Sequence, residues 1–301
     1  MMAPSLLRVG LSLLITAPAV AAQLPTGPRL LVDARDVHAH LNEPDLVILI
    51  VGPDVGYAKE HIPGSRFIQL SDLSTPMSRD MPQGTLALEM PSEAQLREAF
   101  ESRGISNSSR IVVVADSEWD SPATRVVLTL QYVGLGDRTA LLDGGMTAWH
   151  KAGYPVTAEV TAATRGHLTT ALMPSLIVDA AYMTAHRSAP HVRLIDARDS
   201  VFYSGPGTHG RAGGHIPGAA SLPFGSLIED STNVFFPPAV LESKFRAAGV
   251  APGDTVVAYC HVGQQATVVL FAARVLGHPV RLYDGSFQDW DLRKLPVEGR
   301  P

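Results

Sequence analysis

Apolar residues along the chain gather in short unbroken runs that alternate with longer stretches of helical periodicity. Leu46 to Val51, Arg110 to Ala115 and Thr255 to Tyr259 are the clearest runs, rich in β-branched residues. Runs that are continuous rather than alternating predict strands covered on both faces. The last two are each followed by a polar break and then by apolar residues at helical spacing, Thr124 to Val133 and Ala266 to Leu276. A second short strand and a turn close each group: Ala140-Leu141-Leu142-Asp143-Gly144-Gly145 and Val280-Arg281-Leu282-Tyr283-Asp284-Gly285. Strands alternating with helices in this way predict an α/β chain whose units are each a mainly parallel sheet flanked by helices.

The order of features occurs twice. The first half carries Leu31-Val32-Asp33-Ala34-Arg35-Asp36 and His61-Ile62-Pro63-Gly64-Ser65. The second carries Leu194-Ile195-Asp196-Ala197-Arg198-Asp199 and His215-Ile216-Pro217-Gly218-Ala219, and each half has a late tryptophan, Trp149 or Trp290. A repeat this long marks duplicated domains, since solenoid repeats run to about 20–50 residues. Thr157 to Pro174 is rich in Ala and Thr without hydrophobic periodicity and reads as a connection. The chain therefore divides into a domain over residues 28–155, a linker over 156–174 and a domain over 175–298. Residues kept in both halves answer a structural need first. His61 and His215 are accordingly read as turn residues beside Pro and Gly, and Trp149 and Trp290 as packing residues.

Composition changes this picture little: 301 residues, 46% hydrophobic and 18% charged, are enough for two domains of common size. The formal net charge of −5, with no long basic run, argues against nucleic acid as a partner. Residues 1–22 read as an export signal. Arg8 supplies the positive start, Val9 to Ile15 the apolar run, and Ala19-Val20-Ala21-Ala22 the small residues, with cleavage after Ala21 or Ala22. The apolar run falls short of the roughly 20 residues that a membrane span needs, and no later stretch is long and apolar enough. The expectation is an exported protein with no stable membrane insertion, periplasmic if the source has two membranes and secreted otherwise. Met77, Met81 and Met90 could suggest copper; filling gaps in an irregular loop is the plainer reading.

Cys260 is the one cysteine. It cannot form an internal disulfide, and an unpaired thiol in an oxidising compartment invites a chemical explanation. Packing as a small buried hydrophobe is the alternative. The setting favours chemistry. A predicted strand ends at Tyr259, a predicted helix starts near Ala266, and Gly263 between them permits a sharp turn. Ligands of open α/β sheets bind beyond the carboxyl ends of the strands. Loop amides and the start of the next helix favour an anion there, and hence a nucleophilic thiolate. His261 is either a proton-transfer group or a substrate-lining or solvent-facing side chain.

The Asp-Ala-Arg segment, Gly214-His215-Ile216-Pro217-Gly218-Ala219, the strand–Cys–loop–helix and Tyr283-Asp284-Gly285-Ser286-Phe287, in this order, resemble the rhodanese family, and the likeness spans roughly Arg29 to Pro296. The resemblance implies two rhodanese-like domains and a cradle of amides formed by Cys260, His261, Val262, Gly263, Gln264 and Gln265 that holds a persulfide. It implies a two-step exchange in which the thiolate takes the outer sulfur of a small anionic donor, thiosulfate or 3-mercaptopyruvate, and passes it to cyanide or another thiol. No metal or organic cofactor is implied. The matching position in the first half is Asp116, and a carboxylate cannot accept a sulfur atom. With Glu118 and Asp120 it places negative charge where an anion would bind, so the first half is expected to be inactive and to cover the cleft. Many relatives carry a basic residue where Phe202 stands, which leaves Arg198 and Arg211 as anion-binding candidates; a salt bridge within its own turn is the alternative for Arg198. The loop side chains match neither the basic loops of thiosulfate-preferring relatives nor the small neutral ones of mercaptopyruvate-preferring relatives, and thiosulfate is the favoured donor.

Two rival readings share the loop. A cysteine-dependent phosphatase needs an Arg at the loop's end for bidentate phosphate binding, and Gln265-Ala266-Thr267 has none. A periplasmic persulfide carrier that does not turn over would use the same residues, and only turnover separates it from an enzyme.

Overall fold

A strand with apolar side chains on both faces needs a cover on each, and the chain supplies it by returning through a helix to the next parallel strand. The computed structural model describes residues 29–76, 82, 84–116, 121–208 and 211–299. The signal segment, Met77, Met81, Glu118 and Asp120 lie outside these residues. The first half runs β1 (Leu31–Val32), α1 (Ala34–His40), β2 (Leu46–Val51), α2 (Asp54–Lys59), β3 (Arg66–Ile68), α3 (Glu93–Glu101), β4 (Arg110–Ala115), α4 (Ser121–Tyr132), β5 (Thr139–Leu142) and α5 (Gly145–Lys151). The second runs β6 (Ile177–Val178), α6 (Ala180–His186), β7 (Val192–Asp196), α7 (Ser200–Tyr203), β8 (Gly207–Thr208), β9 (Arg211–Ala212), β10 (Ala220–Ser221), α8 (Pro238–Ala247), β11 (Thr255–Tyr259), α9 (Ala266–Val275), β12 (Val280–Tyr283) and α10 (Ser286–Leu292).

Each half is built on a parallel five-stranded sheet, in the orders β1-β5-β4-β2-β3 and β10-β7-β11-β12-β6. Read from opposite ends, the two orders are the same, with β4 and β11 in the middle. The antiparallel pair β8–β9 is an addition of the second half. The halves share one apolar core. It runs from Val113 and Ala115 through Val126, Val127 and Leu130 of α4 to Val268, Val269 and Leu270 of α9 and on to Val256. A helix packed between two sheets has no solvent face to keep polar, which is why α9 is apolar almost all round and α4 is buried over most of its length. Smaller clusters around Trp149 and Trp290 cover the outer sheet faces. Each indole N–H donates to a proline carbonyl six residues on, Pro155 at 3.0 Å and Pro296 at 2.8 Å.

The sheet register corrects one expectation about the repeat. Asp33 follows the edge strand β1 and caps α1, accepting the Asp36 amide at 2.7 Å. Its counterpart after β6 is Asp179, which caps α6 by accepting the Tyr182 amide at 2.8 Å. Asp196-Ala197-Arg198 follows β7 instead. Val51 lies beside Ala115 and Asp196 beside Tyr259, so the first-half equivalent of that segment is Val51-Gly52-Pro53. A helix-capping Asp and an ion-pairing Asp look alike in sequence and sit on different strands. His61 and His215 do occupy matching places. Each ring stacks on a tyrosine, Tyr57 or Tyr203, at 3.8 Å. Each also bonds that tyrosine's carbonyl through Nδ1, at 2.7 and 2.8 Å.

Residues 158–173 form no helix or strand yet are tied to the first half. The Gly166 amide donates to the Glu101 carbonyl at 2.8 Å, the Ala171 amide to that of Val133 at 3.1 Å, and Leu168 is buried. Among the described residues, no helix is long and apolar enough to cross a membrane, and no group of His, Cys, Asp and Glu side chains could hold a metal ion.

Candidate active site

Cys260 begins the turn that leaves the central strand β11, and only 1% of its surface is exposed. The loop after it is held by its carbonyls. The Cys260 carbonyl accepts the Phe287 amide at 3.0 Å and the His261 carbonyl the Gln288 amide at 3.1 Å, both from the start of α10. The Gly263 carbonyl accepts Arg125 Nη1 at 3.2 Å, and the Gln264 carbonyl accepts Thr267 Oγ1 at 2.7 Å. With these carbonyls engaged outside the turn, the amides are left for the inside. Among the described residues, those of Val262, Gly263, Gln264 and Gln265 donate to no protein acceptor. Such a nest of N–H groups ahead of a helix favours an anion. Gly263 makes the turn possible: its φ is +79°, and a Cβ there would lie 2.6 Å from the Asp284 carbonyl oxygen. The Cys260 amide itself donates to Ser286 Oγ at 3.1 Å, and Ser286 Oγ donates to the Tyr283 carbonyl at 2.9 Å.

Arg198 makes the salt bridge within its own turn, the alternative left open for it by the sequence. Both Arg198 and Asp196 are 0% exposed. Arg198 Nε donates to Asp196 Oδ1 at 2.9 Å, and Nη2 donates to Oδ2 at 2.6 Å and to the Gly214 carbonyl at 2.7 Å. The guanidinium also lies over the Phe287 ring, 3.9 Å from its centroid. Burial, the largest single influence, works against the charge, but the Asp196 hydrogen bonds and charge, with Tyr259 and Cys260 adding to them, together hold the guanidinium's pKa above its ordinary value. Its Nη1 has no partner among the described residues. Its field reaches Cys260 and His261. Arg198 therefore acts on the site as a fixed buried charge rather than as a flexible clamp.

The loop side chains separate. His261 meets the edge of Phe202 at 4.4 Å between centroids. Burial, with Arg211 and Arg198 adding to it, pushes its imidazole down to about 3, so the ring is neutral. Gln264 turns away from the cradle, and its Nε2 donates to Ser121 Oγ of the first half at 2.9 Å; its backbone amide remains in the nest while its side chain does not line the cleft. Val262 and Gln265 are half-buried, and Arg211 is exposed. In the first half, Asp116 is folded back under α2, so that a Cβ on Gly52 or Gly56 would run into its side chain. Burial first, and Glu60 second, raise its carboxyl pKa. Ser286, Asp196 and Arg125 are site residues that sequence reasoning passed over. Ser286 and Asp196 lay inside quoted motifs, and Arg125 is a charge inside an otherwise apolar helical stretch.

The rhodanese-like domain model matches the chain twice, over residues 16–152 and 179–293. The chain belongs to the rhodanese family. This rhodanese is 34% identical over 272 residues to a protein of Pseudomonas aeruginosa named probable 3-mercaptopyruvate sulfurtransferase, a match that covers 86% of this chain and 94% of the relative. It is 27% identical over 271 residues to the thiosulfate sulfurtransferase of Azotobacter vinelandii, covering 89% and 97%. The crystal structure of SseA from Escherichia coli, a 3-mercaptopyruvate sulfotransferase by its description, aligns with a TM-score of 0.74 at 23% identity, over 86% of this chain and 98% of that one. The two share the tandem rhodanese fold. This rhodanese is an enzyme of the sulfurtransferase type, as its named relatives are.

Proposed function

We propose that Cys260 carries the transferred sulfur as a persulfide, and that thiosulfate is the donor. The observation behind this is the turn in which flanking carbonyls are engaged by other elements and four successive amides, those of Val262 to Gln265, have no acceptor among the described residues. The Cys260 thiolate attacks the outer sulfur of thiosulfate, a new S–S bond forms, the old one breaks, and the electron pair leaves with sulfite. The persulfide anion rests against the amides of Val262, Gly263, Gln264 and Gln265, which cancel its charge without rearranging. Cyanide or a thiolate then attacks the outer sulfur, takes it away as thiocyanate or a persulfide, and restores the Cys260 thiolate; the formal two-electron exchange is between donor and acceptor, so no outside oxidant or reductant is needed. Arg211, exposed at the mouth and felt by His261, is the cation left to draw the anionic donor in. His261 is neutral and serves as a wall with Phe202 rather than as a proton carrier. The signal-like first 22 residues support export, to the periplasm where there are two membranes.

A second donor is favoured by one feature. The Phe202–His261 wall is uncharged, which suits the carbon body of 3-mercaptopyruvate better than a dianion, and the 34% identical relative bears that substrate's name. Steady-state kinetics with both donors and cyanide test the choice. A higher kcat/KM for thiosulfate supports the proposal, and a higher value for 3-mercaptopyruvate overturns it. Catalytic thiocyanate formation by the native enzyme and none by Cys260→Ser is the expected outcome for the site itself.

A further inference from the structure

The half without a cysteine touches the catalytic turn from behind, through one face of α4. Ser121, Thr124 and Arg125 share that face by their three- and four-residue spacing. Ser121 Oγ accepts Gln264 Nε2 at 2.9 Å, Thr124 Oγ1 and Thr267 Oγ1 are 2.7 Å apart, and Arg125 Nη1 donates to the Gly263 carbonyl at 3.2 Å. The Arg125 guanidinium is 1% exposed. It pairs with Asp284 and donates from Nη2 to the Leu88 carbonyl at 2.9 Å, while Nε has no partner among the described residues. The pairings Ser121–Gln264 and Thr124–Thr267 both span 143 positions, and the same offset takes Arg125 to Val268. The charge therefore stands on one side of an otherwise matched interface, the side that faces the cysteine loop.

Burying a guanidinium among apolar helices is unfavourable unless its partners need it. Here the partners are the Asp284 carboxylate, the Leu88 carbonyl and a peptide of the cradle. The Gly263 carbonyl points at the boundary between the halves, and Arg125 is the donor that meets it. If that peptide flipped, its carbonyl would turn into the nest and the amide of Gln264 would turn out of it. We propose that Arg125 is a positioning residue for sulfur transfer, supplied by the inactive half, which locks the Gly263–Gln264 peptide so that the amides face Cys260. The first half would then be part of the catalytic machinery without touching the substrate. This inference rests on the reading of Cys260 as the sulfur carrier.

The test uses the full chain with Arg125→Met and Arg125→Lys, and follows kcat and KM with thiosulfate and cyanide, the rate of Cys260 alkylation by iodoacetamide at neutral pH, and the near-ultraviolet circular dichroism. Lysine keeps the charge beside Asp284 but cannot reproduce the planar fork that reaches two carbonyls. Both variants are expected to fold, to lose about tenfold to a hundredfold in kcat with KM for the donor nearly unchanged, and to alkylate more slowly by a similar factor. A folded Arg125→Met with native kcat and alkylation rate overturns the proposal. If Arg125→Met does not fold, native values in Arg125→Lys overturn it equally. Cys260→Ser in parallel keeps the two claims apart: retained turnover there defeats the Cys260 reading whatever Arg125 does, while lost turnover leaves the Arg125 outcome to stand by itself.

Discussion

Replacing Asp196 by Asn tests whether the buried ion pair under the catalytic strand has the weight its geometry suggests. The two side chains are 0% exposed and joined by Nε–Oδ1, Nε–Oδ2 and Nη2–Oδ2 contacts of 2.9, 3.2 and 2.6 Å. The asparagine keeps the shape but turns one acceptor into a donor facing the guanidinium, and leaves the charge of Arg198 uncompensated. Breaking one partner of a buried pair costs about 3–5 kcal/mol, a large share of the roughly 5–15 kcal/mol that holds an ordinary domain together. For a half of this size the thermal midpoint should fall by about 10–20 °C. Replacing the pair as a whole, Asp196→Leu with Arg198→Met, should cost distinctly less than the single change, because no charge is stranded. Calorimetry and urea unfolding on the native chain, the single variant and the double variant give the comparison. A single variant within about 1 kcal/mol of the native chain, or a double variant no more stable than the single one, would refute the reasoning.

Further outcomes follow from the same geometry. Gly263→Ala places a Cβ 2.6 Å from the Asp284 carbonyl at a φ of +79°; it should cost about 1–2 kcal/mol in backbone strain and about a hundredfold in kcat through displacement of the loop, read by urea unfolding and thiocyanate assay. Glu89 is raised to about 7 by burial first and Asp284 next, with Arg125 opposing and Asp289 adding. Its folded form keeps the proton to higher pH than the unfolded chain does, so its contribution to stability is complete below the ordinary carboxylate range and is lost as pH rises through about 7. Glu89→Gln should therefore match the native chain at about pH 4 and exceed it by about 1–2 kcal/mol at about pH 8, after allowance for the side chain's partial exposure; equal stability at both pH values contradicts this. His261, held neutral at about 3, should contribute no inflection to the pH–rate profile between about pH 5 and 8, and His261→Asn should leave the shape of that profile as it is.

The parts of the fold that were legible in the sequence are those that local patterning controls. Leu46 to Val51, Arg110 to Ala115 and Thr255 to Tyr259 are β2, β4 and β11 to the residue, because strands covered on both faces leave no polar position to blur their ends. The helix after Cys260 starts where the pattern put it, at Ala266, while α4 starts three residues before Thr124. The register of the repeat was not legible. Asp33 and Asp196 head the same three residues, but one caps a helix after an edge strand and the other neutralises an arginine beside the central strand. Nor were the neighbours of the cysteine loop legible. Arg125 and Gly263 are separated by 138 positions and meet only because α4 and α9 pack face to face. The outward turn of Gln264 has the same cause, since Ser121, its partner, belongs to the other half.

The central claim is that one sulfur atom rests on Cys260 between the two steps. Intact-protein and peptide mass spectrometry after brief treatment with thiosulfate, before and after cyanide, tests it most directly. The account predicts one added sulfur per chain, confined to the peptide containing Cys260, absent in Cys260→Ser, and released as thiocyanate when cyanide is added. A native enzyme that forms thiocyanate from thiosulfate and cyanide without ever gaining that mass at Cys260 would contradict it.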